Sequence, residues 1–309
     1  MIHRFARSAR ARVPGLVFEI AAGVVIGPSV MNAVGPSAPL RHAADAAAAL
    51  LLFVVGLHTD TAAMLRVGRS SLAVAVIGVV VPVVTGGAAG LALGESARTS
   101  LFLGAALAAT SIGVTARVFR DAGQLGSTTA RIVVGAAVID DVLGLVLLVI
   151  VSAVAGTHGV DTGVVTTSVT VVGSFFLGAF VARTRVRQGV ERVVTRVAPV
   201  VVPLFFVNIG VQADAAKFVS PDVLGVATIV LVIAVVSKLA AGLGTSREDV
   251  DRLTVGLAMA PRGEVGLVFA ATAVSAGAFD ERMYAVILLV VLTTTVVSPV
   301  VLRQRLVSG

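Results

Sequence analysis

Apolar residues occupy ten long segments of the chain, and short polar stretches separate these segments. Most segments approach the ~20 residues that an α-helix needs to cross the hydrocarbon core of a bilayer. The pattern predicts an all-α polytopic membrane protein with about ten transmembrane helices. The predicted segments are residues 15–35, 43–58, 70–94, 99–119, 128–154, 163–182, 197–212, 223–244, 253–277 and 283–302.

The composition agrees with this class of protein. Of the 309 residues, 57% are hydrophobic and 13% are charged, whereas soluble domains contain roughly 25% charged residues. Cysteine is absent, which excludes disulfides and thiolate metal sites. We expect residues 1–309 to form a single transmembrane unit without a soluble domain, a cofactor or an enzymatic activity.

Positive charge is distributed unevenly among the connections between segments. If the N-terminus is cytoplasmic, eighteen of the 24 basic residues fall at cytoplasmic ends, and four fall on the opposite side, namely Arg41, Arg98, Lys217 and Arg282. Cytoplasmic loops of membrane proteins carry an excess of Lys and Arg. The distribution therefore predicts an even number of spans with both termini in the cytoplasm. The net charge of +7 then reflects topology and does not indicate nucleic-acid binding.

Two adjacent acids, Asp140 and Asp141, lie inside the apolar run 132–151. A charge at such depth costs about 3 kcal/mol or more, and such residues usually belong to an ion or proton pathway. Lys238 and Arg262, the two remaining basic residues, also fall inside apolar segments. Each charge has a structural alternative. An acid can be paired with a cation only for stability, and a lysine can extend to the membrane surface.

The fourth segment contains a run of small and hydroxyl residues, 108–117, with Gly113 inside it. Such a run at mid-membrane depth is typical of an unwound stretch, where freed carbonyls and hydroxyls can face a cation. Ser and Thr also pack between helices, so this run alone is a weak indication. Its hydroxyl residues are Thr110, Ser111 and Thr115.

The ninth segment contains a stronger interruption. Pro261 removes a helical hydrogen-bond donor, and Gly263 adds backbone freedom two residues later. Arg262 and Glu264 do not face each other on a regular helix. Their charges are easier to compensate where the helix is broken and neighbouring helices supply partners. These two residues either hold the break as a structural ion-pair network or take part in transport.

The two interrupted segments occupy equivalent positions along the chain. Each is the fourth in a set of five, and sets of odd length that are inserted in succession have opposite orientations. The chain therefore fits two inverted five-helix repeats, about 15–154 and 163–302, whose broken helices cross near the midplane. This repeat is inferred from spacing.

Paired carboxylates inside the membrane can bind a desolvated monovalent cation, and the same carboxylates can bind protons. Competition between the two for one site produces exchange. Adjacent residues on a helix point about 100° apart, so one acid can face the ion path while the other faces a partner. Lys238 is the candidate partner. If Lys238 loses its proton when the cation arrives, two protons move per cation and the exchange is electrogenic.

Eight stretches of this sequence together resemble the monovalent cation:proton antiporter superfamily. The similarity is closest to the bacterial sodium/proton antiporters with two adjacent aspartates. The double aspartate and the Pro-Arg-Gly-Glu stretch are specific in combination, and the stretches follow the family's order along nearly the whole chain. They are residues 25–29, 51–57, 109–117, 137–144, 176–180, 203–210, 237–238 and 261–267.

The resemblance implies a dimerisation domain, a mobile core domain and elevator-type alternating access. It implies a homodimer in a bacterial inner membrane that exchanges protons for Na+ or Li+. Asp141 would be the main carboxylate that binds the ion and the proton, with Asp140 beside it, and Lys238 would pair with Asp140. The helix breaks would hold the remaining site residues, namely Thr110, Ser111 and Thr115 in the first break and Arg262 and Glu264 in the second.

The sequence also departs from the family, because two helices that usually follow the aspartate-bearing helix are missing. Two alternatives therefore stay open beside sodium/proton exchange. One is a potassium/proton exchanger, because carboxylates alone do not select between these ions. The other is a degenerate, non-transporting membrane subunit. An intramembrane aspartyl protease is disfavoured, because it needs its acids on facing helices and Asp140 and Asp141 are neighbours on one.

Overall fold

The structure is a computed structural model that describes residues 15–58, 68–156, 162–246 and 250–308, with the backbone alone for 112, 155–156, 162–168, 171, 264 and 308. These residues form thirteen α-helices, one 3-10 helix and no strand. The 3-10 helix, Ala240–Gly244, directly follows α10. The helices are α1 (Gly15–Ile26), α2 (Ala38–His58), α3 (Arg69–Ala92), α4 (Ala97–Ala108), α5 (Ile112–Asp121), α6 (Thr128–Gly156), α7 (Thr162–Val181), α8 (Arg187–Val211), α9 (Ala215–Phe218), α10 (Pro221–Leu239), α11 (Arg252–Ala258), α12 (Glu264–Ser275) and α13 (Glu281–Ser308).

Each of the ten predicted segments overlaps one helix or a broken pair of helices, although segment 15–35 is helical only to Ile26 and segment 223–244 ends in the 3-10 helix. Segment 99–119 corresponds to α4 and α5, and segment 253–277 corresponds to α11 and α12. In the described part of the chain, seven helical stretches are long and apolar enough to cross a membrane, and the shorter apolar helices are Gly15–Ile26, Val172–Val181 and Val265–Ser275. The prediction of an all-α membrane protein is therefore confirmed.

Local sequence signals set the outer ends of the broken helices. The side chains of Ser96 and Asp251 each accept a hydrogen bond from a backbone N–H in the first turn of α4 and α11, which satisfies a donor that has no helical partner. At the opposite ends, α5 and α12 are followed by Gly123 and Gly277, whose φ angles are 69° and 66°. Glycine adopts this conformation without the penalty that a Cβ brings.

Asp251 also ties α11 to the end of α13. Its carboxylate accepts hydrogen bonds from Arg305 Nε at 2.8 Å and from Thr254 Oγ1 at 2.5 Å. The hydrogen bond from the Arg305 guanidinium is the main reason that the pKa of Asp251 is lowered to about 2. Asp251 therefore stays ionised at neutral pH, and the link between the two helices stays in place.

The helices pack as two groups. Helices α1, α2, α7 and α8 contact one another, and the larger group consists of α3–α6 and α10–α13. The two groups meet where α7 packs against α6. They also meet at a hydrogen bond from Tyr284 Oη on α13 to the carbonyl oxygen of Ile209 on α8, at 3.1 Å. Both interrupted segments belong to the larger group.

Two polar contacts join helix ends on one face of the molecule. Gln124 Nε2, after α5, donates to the carbonyl oxygen of Leu306 near the end of α13, at 2.8 Å. His58 Nε2, at the end of α2, lies 3.4 Å from a carboxylate oxygen of Glu191 on α8. This is the face that the charge pattern predicts to be cytoplasmic. The basic residues of the stretch 1–14, together with Arg66 and Arg247, lie outside the described residues.

A cluster of three charged residues joins helix ends on the opposite face. Arg282 lies in the first turn of α13 and donates two hydrogen bonds to Asp222 at the start of α10. Its Nε is 2.5 Å from Oδ2, and its Nη2 is 3.1 Å from Oδ1. Its Nη1 donates to Glu95, between α3 and α4, at 2.8 Å. These bonds hold the ends of three helices of the larger group together.

Glycines allow α2 and α7 to contact each other backbone to backbone. A Cβ on Gly56 would collide with the carbonyl oxygen of Phe175, and a Cβ on Gly178 would collide with the carbonyl oxygen of Phe53. Small residues at helix crossings permit such close approach inside a membrane, where association depends on packing. The crossing is therefore specified by these two glycines.

We predict that Gly178→Ala lowers the thermal stability of the protein, because the added methyl group must push α2 and α7 apart, at a typical cost of about 1–3 kcal/mol. The measurement is the loss of helical circular dichroism on heating in detergent. The control is Gly173→Ala on the same helix, where no atom lies within 4 Å of the added Cβ. Equal melting temperatures of the two variants would contradict the close contact.

Candidate cation site at the crossing of two broken helices

The first break separates α4 from α5 at residues 109–111. Ala109 and Ser111 have extended backbone conformations, with ψ angles of 139° and 103°. Because α4 ends at Ala108, its last carbonyl oxygens have no helical N–H partners and need other donors. The predicted residues Thr110, Ser111 and Thr115 are all buried at this break.

The second break separates α11 from α12 at residues 259–263. Pro261 stands in it, and α12 begins directly after Gly263. A Cβ on Gly263 would lie 2.7 Å from the Cβ of Ser111, so only glycine fits here without movement. Glu264 is the first residue of α12, but its side chain lies outside the described residues.

The two breaks lie against each other and exchange hydrogen bonds. The N–H of Ser111 donates to the carbonyl oxygen of Pro261 at 2.9 Å. Thr115 Oγ1 donates to the carbonyl oxygen of Ala258 at 2.7 Å, and the Thr110 hydroxyl bonds the carbonyl of Met259 at 3.3 Å. The hydroxyl residues predicted for the first break thus satisfy carbonyls that the second break leaves free.

Arg262 is fully buried, with 0% exposure, and it joins the two breaks to α10. Its guanidinium donates to the carbonyl oxygens of Leu107, Ala109 (3.1 Å) and Ala234 (3.0 Å). Its own carbonyl oxygen accepts a hydrogen bond from Thr295 Oγ1 on α13 at 2.7 Å. Since a cation is favoured at the C-terminal end of a helix, Arg262 also compensates the free carbonyls at the end of α4.

Asp140 and Lys238 lie side by side next to the first break, with exposures of 1% and 0%. Lys238 Nζ is 3.5 Å from Asp140 Oδ2. The same ammonium donates to the carbonyl oxygen of Gly78 at 2.7 Å and to that of Ala108. Asp140 Oδ1 is buried and meets no hydrogen-bond donor among the described residues. Asp140 is therefore enclosed by protein, with Lys238 against its other oxygen.

Asp141 is partly buried on α6, in contrast to the fully buried Asp140. The two carboxylates therefore occupy different surroundings, as expected for adjacent residues that point about 100° apart on a helix. Across the part of the chain that the structure describes, no three His, Cys, Asp or Glu side chains form a metal-binding group.

Three elements of the site had no counterpart in the sequence analysis. The carbonyl oxygens of Gly78 and Ala234 accept hydrogen bonds from Lys238 and Arg262, and a main-chain acceptor has no signature of its own in a sequence. Thr295 is one of many hydroxyl residues in apolar segments. The sequence contains a signal for Gly78 only. Pro82 stands four residues after it, and a proline cannot donate the helical hydrogen bond to that carbonyl.

Comparisons with known proteins identify the family. The model of the transmembrane sodium/hydrogen exchanger family matches residues 1–172 and 167–307. The chain belongs to this family, and with it to the monovalent cation:proton antiporter superfamily. Proteins of this family are secondary transporters, so the chain is a transporter and not an enzyme.

Two bacterial relatives are named as antiporters. The high-affinity Na+/H+ antiporter NhaS3 of Synechocystis is 31% identical, in an alignment that covers 82% of this chain and 68% of the relative. The Na+/H+-K+ antiporter GerN of Bacillus cereus is 28% identical, with 96% and 91% covered. The latter alignment spans 357 positions, more than the 309 residues of this chain, so GerN contains residues that this chain lacks.

The fold is similar to that of a solved antiporter. MjNhaP1, a sodium proton antiporter from Methanocaldococcus jannaschii, superposes with a TM-score of 0.67 over 98% of this chain and 95% of its own, at 14% sequence identity. The similarity confirms the antiporter fold. The two matches to the family model overlap at residues 167–172, in α7.

We predict that Arg262→Lys lowers the free energy of unfolding by roughly 2 kcal/mol, the size of a hydrogen bond to a charged group. Lysine keeps the charge, but it lacks the planar fork that reaches carbonyls on α4, the first break and α10. Thermal unfolding in detergent measures the loss. The matched control is Arg131→Lys, because Arg131 is exposed at the start of α6 and donates to the hydroxyl of Thr128 on the same helix. An equal loss in both variants would refute the bridging role of Arg262.

Proposed function

We propose that this chain is a sodium/proton antiporter that works by alternating access at the Asp140–Asp141 pair. The observation that carries the proposal is the position of two carboxylates beside the crossing of two broken helices. Freed carbonyls and hydroxyl groups at such a crossing can replace the hydration shell of a cation. The chemistry is therefore exchange of H+ for Na+ or Li+, without a cofactor.

Asp141 is the residue that binds the transported ion in this proposal. It is partly exposed, so an ion can reach it, whereas Asp140 is closed off by Lys238. Thr110, Ser111 and Thr115 at the first break supply neighbouring oxygens, and Glu264 belongs to the second break. A proton and a cation compete for the same carboxylate, so that binding of one requires release of the other.

Asp140 and Lys238 couple the release of a second proton to the binding of the cation. The carboxylate and the ammonium partly neutralise each other inside the protein, at 3.5 Å. When a cation binds, the carboxylate of Asp140 interacts with the cation in place of Lys238. The buried ammonium of Lys238 is then left without its counter-charge. Because an unpaired buried ammonium is costly, Lys238 then releases its proton. Two protons leave for each cation that enters, which makes the exchange electrogenic.

The choice of Na+ rests on the relatives. NhaS3 is named a high-affinity Na+/H+ antiporter and MjNhaP1 a sodium proton antiporter. GerN is named a Na+/H+-K+ antiporter, which makes K+ the second candidate ion. The carboxylates do not separate the two, because selectivity depends on the size of the cavity and the number of ligands.

The packing of the helices supports the remaining parts of the proposal. The group α3–α6 with α10–α13 carries the site and is the mobile core domain of an elevator. The group α1, α2, α7 and α8 is the dimerisation domain of a homodimer. The repeats 15–154 and 163–302 are inverted copies that each supply one broken helix. The chain lies in a bacterial inner membrane with both termini in the cytoplasm.

We predict that purified wild-type protein in liposomes exchanges internal protons for external Na+ or Li+, and that Asp141→Asn abolishes this exchange. The measurement is the internal pH, reported by a trapped dye, after addition of Na+, Li+ or K+. The matched control is Asp121→Asn, which removes an exposed acid on α5 that pairs with Arg117.

The outcomes of this experiment separate the alternatives. Sodium-dependent proton flux in Asp141→Asn would remove the central claim. Flux with K+ in place of Na+ would make the protein a potassium/proton exchanger. A folded wild-type protein without flux for any of the three ions would be a non-transporting subunit.

We further predict that Lys238→Ala moves one proton fewer per cation and loses its net transport current. Lys217→Ala, which changes a lysine outside the site, should keep the current. The currents are recorded from proteoliposomes adsorbed on a solid-supported membrane, with a dye-based assay of exchange in parallel. Lys238→Ala with an unchanged current at an unchanged exchange rate would exclude Lys238 as the carrier of the second proton.

A further inference from the structure

Pro82 lies inside the continuous helix α3 and is buried against the neighbouring helices. Proline has no backbone N–H and cannot donate to the carbonyl four residues earlier. In α3 this carbonyl belongs to Gly78, which is also buried. A main-chain carbonyl without a hydrogen bond costs roughly several kcal/mol inside a membrane. The carbonyl of Gly78 therefore needs a donor from another element.

That donor is Lys238. Its Nζ lies 2.7 Å from the Gly78 carbonyl oxygen. The second carbonyl that the ammonium contacts belongs to Ala108, at the end of α4, where the helix break removes the helical donor. The third acceptor is Asp140 Oδ2 at 3.5 Å. The ammonium thus has three oxygen neighbours. The carbonyl of Gly78 lacks its helical donor because residue 82 is proline, and the carbonyl of Ala108 lacks one because α4 ends there.

We propose that Pro82 is a positioning residue for Lys238. By removing the helical donor to Gly78, it creates an acceptor that holds the ammonium next to Asp140. A residue with an N–H at position 82 would offer the helical hydrogen bond to the same oxygen and compete with the ammonium. The proposal deepens the proposed function and rests on it for the role of Lys238 in exchange.

The carbonyl of Gly78 is important for Lys238 because of the charges that surround the ammonium. The charges that act on the ammonium are Asp140 and Asp141 on α6 and Arg262 at the second break. When a cation draws Asp140 away, the two carbonyls are the oxygens that remain around the ammonium. Pro82 therefore sets how firmly the charged lysine is held at the moment when the second proton is to be released.

We predict that Pro82→Ala shifts the pH profile of sodium-dependent exchange by about one pH unit to lower pH, the size expected for one hydrogen bond to a charged group. The direction follows because the ammonium loses an acceptor and releases its proton more readily. The measurement is the exchange rate in liposomes from about pH 5 to about pH 9, a range that extends to both sides of neutrality. The control is Pro199→Ala, which makes the same change at an exposed position of α8.

A second measurement does not depend on transport. Lys217 and Lys238 are the two lysines of the chain, so Lys217→Arg leaves Lys238 as the only lysine signal. With 15N-labelled lysine, the Nζ resonance of Lys238 at one fixed pH reports the hydrogen bonds of the ammonium. We expect this resonance to move in Pro82→Ala and to stay at its wild-type position in Pro199→Ala.

The two measurements separate failure of this proposal from failure of the proposed function. An unchanged Nζ resonance and an unchanged pH profile in folded Pro82→Ala would overturn the positioning role. A moved resonance in a protein without exchange would support the positioning role and reject antiport. If Pro82→Ala does not fold, an α-hydroxy acid in place of Val79 turns the Gly78 carbonyl into a weaker ester acceptor while Pro82 stays, and the same resonance shift is expected.

Discussion

The structure depends on the pairing of main-chain groups that two interrupted helices leave free. Inside a bilayer no water can bond these groups, so an isolated break would be prohibitively costly. Here each break supplies what the other lacks, since Ser111 and Thr115 donate to carbonyls of the second break and Arg262 donates to carbonyls of the first. Each break thus relies on hydrogen-bond donors or acceptors from the other.

The same arrangement determines the electrostatics of the site. The end of α4 presents free carbonyl oxygens, and two buried cations, Arg262 and Lys238, face them. Within the described part of the chain, Arg262 donates to carbonyl oxygens, whereas Lys238 divides its donors between carbonyls and Asp140. The first cation is thus a fixed part of the scaffold. The second lies between the scaffold and the carboxylate pair, where its interactions can change with the ion.

The sequence predicted the ten helical segments, because apolar length is a strong signal, and it predicted both breaks from glycine, proline and hydroxyl residues. It also singled out Lys238 and Arg262, because they are the basic residues that topology leaves unexplained. It did not reveal the carbonyls of Gly78 and Ala234 as partners of these cations. Acceptors of this kind are common to every residue, and only the packing of the helices selects which of them meet a charged side chain.

Five main-chain carbonyls, those of Gly78, Leu107, Ala108, Ala109 and Ala234, hold the two buried cations. A main-chain oxygen is present whichever residue carries it. Substitutions at these positions can therefore accumulate over evolution without altering the donors and acceptors of the site, provided that the backbone path is retained. Such a site depends on the path of the backbone. Distant members of the family can therefore share it after most of their side chains have changed.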